Sequence, residues 1–164
     1  MIMHKIYARH FGVGAQDRLE IPLIKKCVRA ALDFEGVEAP CEVSVLITGD
    51  KVIKEINREF RGIDLPTDVL SFPMQVFSQP GWAGRAGDET DPETGLVPLG
   101  EIVLSAARVD SQSREYGHSR QQETAYLTVH AALHLLGYDH LDEGPGKRQM
   151  REHEKQIMEE WAEK

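Results

Sequence analysis

Apolar positions recur with two periods along the chain, and the change from one to the other divides it. Residues 42–48 alternate strictly, with Val43, Val45 and Ile47 on one side, which predicts a strand. Residues 1–9 alternate more weakly (Ile2, His4, Ile6 and Ala8 against Met3, Lys5 and Tyr7) and predict an opening strand. Residues 69–74 predict a short strand that Pro73 confines to an end or an edge. Residues 99–104 predict the last one. The helical period appears first over residues 19–34, where Leu23, Cys27, Ala30, Ala31 and Phe34 share a face, Pro22 sits near the start and Gly36 stops the helix. A short helix follows over residues 51–60, with Asp50 as its expected N-cap and Gly62 as its stop. Beyond Ser105 the pattern is helical throughout: residues 105–116 ended by Gly117, residues 119–136, and residues 145–161. The middle one has Ser119 at its N-cap with Gln122 three residues on, an apolar stripe of Ala125, Val129, Ala132, Leu133 and Leu136, and Gly137 past its end. Strands early and helices late predict an α+β domain, a small mixed four-stranded sheet packed with about five helices.

The 164 residues suit a single domain over residues 1–164. With 41% hydrophobic and 28% charged residues the chain is expected to fold rather than stay disordered. No apolar run approaches the ~18 residues of a membrane span, and the start lacks the apolar core and cleavage site of a secretory signal. Acids outnumber bases 27 to 19, a formal charge of −8, so a polyanionic partner would need a local basic face. Cys27 and Cys41 form no CxxC pair and are expected as small buried hydrophobes in a reducing, cytoplasmic compartment. Residues 78–98, rich in Gly, Pro, Asp and Glu, predict a long, acidic, mobile loop.

Three of the seven histidines fall in one stretch, His130-Ala-Ala-Leu-His134-Leu-Leu-Gly137-Tyr-Asp-His140. Four helical residues advance about 400°, so His130 and His134 share a face one turn apart. Gly137 tolerates the positive φ that lets the chain reverse and return His140 over that face. Three imidazole nitrogens with a fourth position open for water is the arrangement of a catalytic zinc site, here expected on the C-terminal helices. His4, His10, His118 and His153 have no such companions and are expected at the surface. The spacing matches the HExxHxxGxxH of metzincin proteases. Ala131, however, stands where those enzymes carry their general-base glutamate, and alanine accepts no proton.

The other dense polar stretch runs from Asn57 to Pro73. Over residues 51–61, leading into it, Lys51, Lys54, Arg58 and Arg61 outweigh Glu55 and Glu59. Arg61 either complements the dipole at a helix C-terminus or, if it faces the metal, grips a phosphate with its planar fork. Thr67 and Asp68 are either a turn or cap before a strand or support for a metal ligand.

The segments FRGIDLPTDVLSFP, LGEIVLS and HAALHLLGYDH, in that order, resemble the YbeY family of bacterial endoribonucleases, also called rRNA maturation factors, over about residues 43–157. That family's metal motif is HGxLHLxGYDH. Ala131 replaces its glycine, and Glu101 stands where aspartate is also common. The resemblance implies a single-strand-specific, metal-dependent endoribonuclease of small-subunit ribosomal RNA maturation and ribosome quality control. It implies one zinc ion per chain on His130, His134 and His140, and a functionally required Arg61. Its partners would be single-stranded RNA, the small-subunit ribosomal RNA and the ribosome, with no DNA and no membrane. Catalysis would then fall to Arg61 and zinc-bound His130, with Asp68 and Asp139 supporting the ligands from behind. Lys51, Lys54 and Arg58, joined by Arg108 and Arg114, would follow the RNA phosphates. Two other readings stay open: a metzincin-like peptide or amide hydrolase, which Ala131 opposes, and a non-enzymatic ribosome-assembly factor with a structural zinc.

Overall fold

The computed structural model describes residues 2–87, 89–139 and 145–163. In chain order its elements are β1 (Lys5–His10), α1 (Ile21–Phe34), β2 (Cys41–Thr48), α2 (Asp50–Arg61), β3 (Val69–Pro73), β4 (Val76–Phe77), β5 (Arg85–Ala86), β6 (Val97–Ser105), α3 (Ala106–Tyr116), α4 (Arg120–Leu135) and α5 (Pro145–Glu163). The strictly alternating β2 lies inside a four-stranded sheet of order β1-β2-β6-β3. β1 and β6 run parallel to β2, and α1 supplies the long crossover that a parallel β1–β2 pair requires. β3 is antiparallel to β6 and closes one edge, where Pro73 removes no needed ladder bond. The fold is therefore the expected α+β domain with a mixed sheet and five helices.

Alternation sends the two faces of the sheet to different partners. Val43, Val45, Ile47, Ile102 and Leu104 pack with Ile24, Val28 and Leu32 of α1 and with Val129, Leu133 and Leu135 of α4, all buried. Leu46, Leu70 and Val103 point the other way, onto Ile53 and Ile56 of α2. Fully burying each such aliphatic side chain contributes roughly 1.5–3 kcal/mol, so α4 is held firmly against the sheet and α1. Its amide ends are satisfied: the Ser119 hydroxyl accepts from the Gln122 N–H at 3.0 Å. At the β6–β3 junction a side chain on Gly100 would place its Cβ 2.2 Å from the Phe72 carbonyl oxygen, so the close approach of the two strands needs glycine there.

Three expectations change. Gly49, not Asp50, is the N-cap of α2; Asp50 is its first residue, and its carboxylate accepts instead from the Ser105 hydroxyl at 3.1 Å. The segment expected as a loop over 78–98 ends sooner, because β6 begins at Val97. It also contains β5 and a 3-10 turn at Trp82–Gly84. The Gly81 N–H donates to the Leu136 carbonyl at 2.9 Å, which ties this segment to the end of α4. Finally, of the histidines expected at the surface, only His118 is exposed. His4 is buried and accepts from the Cys41 N–H, while His10 accepts from the Leu19 N–H and His153 is half-buried. Both cysteines are buried thiols, pushed up to about 12 by that burial, as their apolar reading implies.

Candidate active site

His130 and His134 lie one turn apart on α4 and open onto a cleft of about 640 Å³. Their Nε2 atoms are 3.1 Å apart, with the rings edge to face. The other nitrogen of each ring is fixed. His130 Nδ1 donates to Glu154 Oε1 of α5 at 2.6 Å, and His134 Nδ1 donates to the Tyr138 carbonyl at 2.8 Å. A carbonyl or carboxylate only accepts, so each Nδ1 carries a proton, and in the neutral rings both Nε2 lone pairs face one small volume. Two acceptors at that distance repel each other, and a cation between them removes the repulsion. The donor set therefore fits a zinc ion, with the outer carboxylate and carbonyl that commonly orient ligating histidines. Among the described residues no third His, Cys, Asp or Glu completes a metal-binding group. The expected third ligand, His140, lies outside the described residues.

The turn after α4 makes this geometry possible. Gly137 has φ +92°, and a Cβ there would meet the Phe77 side chain at 2.7 Å. That turn sends the Tyr138 N–H to the Leu133 carbonyl at 3.2 Å and swings the Tyr138 carbonyl over His134. The Tyr138 hydroxyl donates to Glu35 Oε1 at 2.5 Å, and His153 Nδ1 donates to Glu35 Oε2 at 2.7 Å. Only 2% of the Glu35 side chain is exposed, so this carboxylate joins the end of α1, the turn and α5 behind the histidines. Burial, then the Glu35 carboxylate, pushes the Tyr138 phenol well above its ordinary value; burial and Glu154 do the same to Tyr126.

The facing wall comes from the end of α2 and from β3. Arg61, the last residue of α2, is exposed and lines the cleft, as do Asp68 and Asp139. Asp68 acts as the cap of β3: Oδ1 accepts from the Val69 N–H at 2.7 Å and Oδ2 from Gln112 Nε2 at 3.3 Å. No contact joins it to either histidine among the described pairs, so its observed work is the turn, with its side presented to the cleft. Lys51, Lys54 and Arg58 are exposed on α2 outside the cleft lining. Arg108 turns to Asp50, Nε to Oδ1 3.4 Å, and Arg114 is exposed on α3. Ala131 is fully buried in the core and lines no part of the cleft.

The sequence motifs do not single out Glu154. The signal was there: Met150, Glu154 and Ile157 share the buried stripe of α5, and a carboxylate on an apolar stripe needs a partner.

A sequence model of the endoribonuclease YbeY family matches residues 14–162. Endoribonuclease YbeY of Lachnoclostridium phytofermentans is 43% identical over 142 residues, spanning 84% of this chain and 81% of its own length. Endoribonuclease YbeY of Clostridium kluyveri is 43% identical over 154 residues, spanning 87% of this chain and 93% of its own. The solution structure of TM1509 from Thermotoga maritima superposes with a TM-score of 0.57 at 30% identity, covering 95% of this chain and 90% of that one. On the strength of the matched residues, the shared length and the shared fold, the chain belongs to the endoribonuclease YbeY family.

Proposed function

We propose that the chain is a zinc-dependent endoribonuclease that cuts single-stranded RNA in the cytoplasm, acting in small-subunit ribosomal RNA maturation and ribosome quality control. The observation that carries the reading is the histidine pair, two Nε2 atoms 3.1 Å apart with both Nδ1 atoms held, in a cleft whose opposite rim presents Arg61. Zinc held by His130 and His134, with His140 as the third ligand, would supply a Lewis acid that polarises a phosphate oxygen and lowers the pKa of water.

The chain's own residues do the rest. Arg61 offers a planar fork to two phosphate oxygens and stabilises the charge that grows on them as phosphorus becomes five-coordinate. Its exposure leaves it free to follow the phosphate. Glu154 and the Tyr138 carbonyl keep the two imidazoles in one tautomer and one orientation, so no reorganisation is needed during reaction. Residues 51, 54, 58 and 61 are spaced by three, four and three, which puts Lys51, Lys54 and Arg58 on the face of α2 that ends in Arg61. That basic stripe gives a strand leaving the cleft a track of cations, in a chain whose overall charge would otherwise repel it. Asp139 and Asp68, the latter capping the start of β3, line the cleft beside the ligand-bearing side. Ala131, packed in the core, leaves peptide hydrolysis without its usual base.

The test is cleavage of a single-stranded RNA and of the same sequence as a duplex, by protein stripped with a chelator and then reloaded with zinc. Cutting of the single strand alone, lost on stripping and regained on reloading while circular dichroism stays constant, supports the reading. Cutting indifferent to chelation contradicts the metal's role, and a fold that melts on stripping makes the metal a staple instead.

A further inference from the structure

The cleft does not end at the histidines. Tyr126 stacks on His130, ring centroids 6.0 Å apart, and beyond it a second recess of about 440 Å³ opens between the end of α3 and the start of α4. Asp68, Tyr126 and Leu127 line both spaces, so a strand held in one continues into the other. Glu123 lines the recess. It is 3% exposed, and no side-chain or backbone donor among the described residues reaches its carboxylate. Burial pushes this carboxyl above its ordinary value, with the Asp68 carboxylate adding to the shift and the His118 imidazole opposing it. Asp68, by contrast, is already supplied with donors from Val69 and Gln112. At the mouth Tyr116 is 58% exposed and its ring lies 6.2 Å from that of His118.

A carboxylate on a side chain only 3% exposed, lining the recess next to an exposed aromatic ring, suits a ligand that brings flat π surface and N–H groups together. Two carboxylates in the lining repel phosphate, so the recess suits a base and not the backbone. Its volume falls within the range of about 300–1,000 Å³ typical of ligand pockets.

We propose that this recess is a nucleobase subsite beside the cleavage position and that it takes guanine, stacked on Tyr116 with N1–H and N2–H donated to the Glu123 carboxylate. The assignment rests on the ribonuclease reading for its neighbour, the cut phosphodiester. Guanine alone presents two adjacent donors to a carboxylate. Uracil offers one N–H between two carbonyls, and adenine and cytosine set a ring acceptor beside their amino group. Hypoxanthine keeps N1–H and lacks N2–H, and so tests the second bond.

The experiment is titration of the full chain with GMP, IMP, AMP, CMP and UMP by calorimetry, for wild type, Glu123→Gln and Tyr116→Ala. A second arm cuts a random-sequence single-stranded RNA and sequences the ends. The expected result is GMP bound on the order of tenfold tighter than UMP, with IMP between them. The preference is lost in Glu123→Gln, whereas Tyr116→Ala weakens every nucleotide alike. Cut ends then carry guanosine at a fixed distance in wild type and not in Glu123→Gln. Equal affinities for all five nucleotides, or a preference that survives Glu123→Gln with its circular dichroism unchanged, overturns the subsite. RNA cut without guanosine enrichment overturns the subsite and leaves the ribonuclease reading standing. A Glu123-dependent GMP preference with no cutting at any zinc loading supports the base site and overturns the ribonuclease reading.

Discussion

The α4 wall of the cleft half-buries its histidines and fixes them from behind, while the α2–β3 wall leaves its cation in solvent. On α4, His130 and His134 project from a helix packed against both the sheet and α1, and each ring is fixed from behind by a partner on another segment. The carboxylate behind His130 has only 7% of its side chain exposed. Arg61 ends an amphipathic helix, with Gly62 at φ +71° immediately after it, and is exposed. One wall is preorganised and the other adjustable. The division suits a site that must hold an ion constantly and a phosphate briefly. It also predicts that damage to the two walls should look different.

Breaking the adjustable wall should give the largest change in rate and the smallest in stability. Arg61→Ala is expected to lower RNA cleavage by roughly 100- to 1,000-fold, with the urea midpoint unchanged because the side chain is exposed. A drop in the midpoint would show that Arg61 is structural after all. On the preorganised wall, Glu154→Gln keeps the shape and removes the charge behind His130. Zinc affinity, read by competition with a chromophoric chelator, should fall about 10- to 100-fold. Unchanged affinity would mean that the 2.6 Å contact does not orient the ring.

The smallest effect sharpens the contrast between histidines. His4 is buried just before β1 and accepts from the Cys41 N–H at 3.1 Å, and its Nε2 has no partner among the described residues. Burial lowers its pKa below the ordinary value, so the unfolded chain binds a proton more readily than the folded one. The stability it lends is complete above about pH 6.5 and is lost as pH falls through the lowered folded value. The urea midpoint of wild type should therefore decline from pH 7 to 5, and less so in His4→Asn, which keeps the acceptor and cannot titrate. Equal slopes would assign the decline elsewhere, His10 first, whose pKa burial also lowers.

How much of this the sequence discloses follows distance along the chain. Residues three and four apart on a helix are neighbours by geometry alone. His130 with His134, the cap of Ser119 and the stop at Gly137 were all legible for that reason. Strand periods were equally local, and the four strands were found where Val43, Val45 and Ile47 set the example. The cap at Asp50 was misplaced by one residue, because Gly49 and Asp50 both suit that position and the choice was made by a distant partner, Ser105. Glu154 and Glu35 act on residues 24 and 103 positions away, through helix packing that no local pattern encodes. The burial of His4, His10 and His153 is not legible for the same reason: their partners lie on other elements. The role of Arg61 was legible only as a pair of alternatives, and placing it on the cleft rim required the fold.

The most direct measurement is the cleavage rate of a single-stranded RNA by wild type and by His134→Ala, purified identically and both loaded with zinc. A contaminating nuclease contributes equally to the two, so the difference belongs to the chain. The account predicts that the variant loses the activity while its circular dichroism matches wild type. Equal rates in both would contradict it and would leave the histidine pair without a part in cutting RNA.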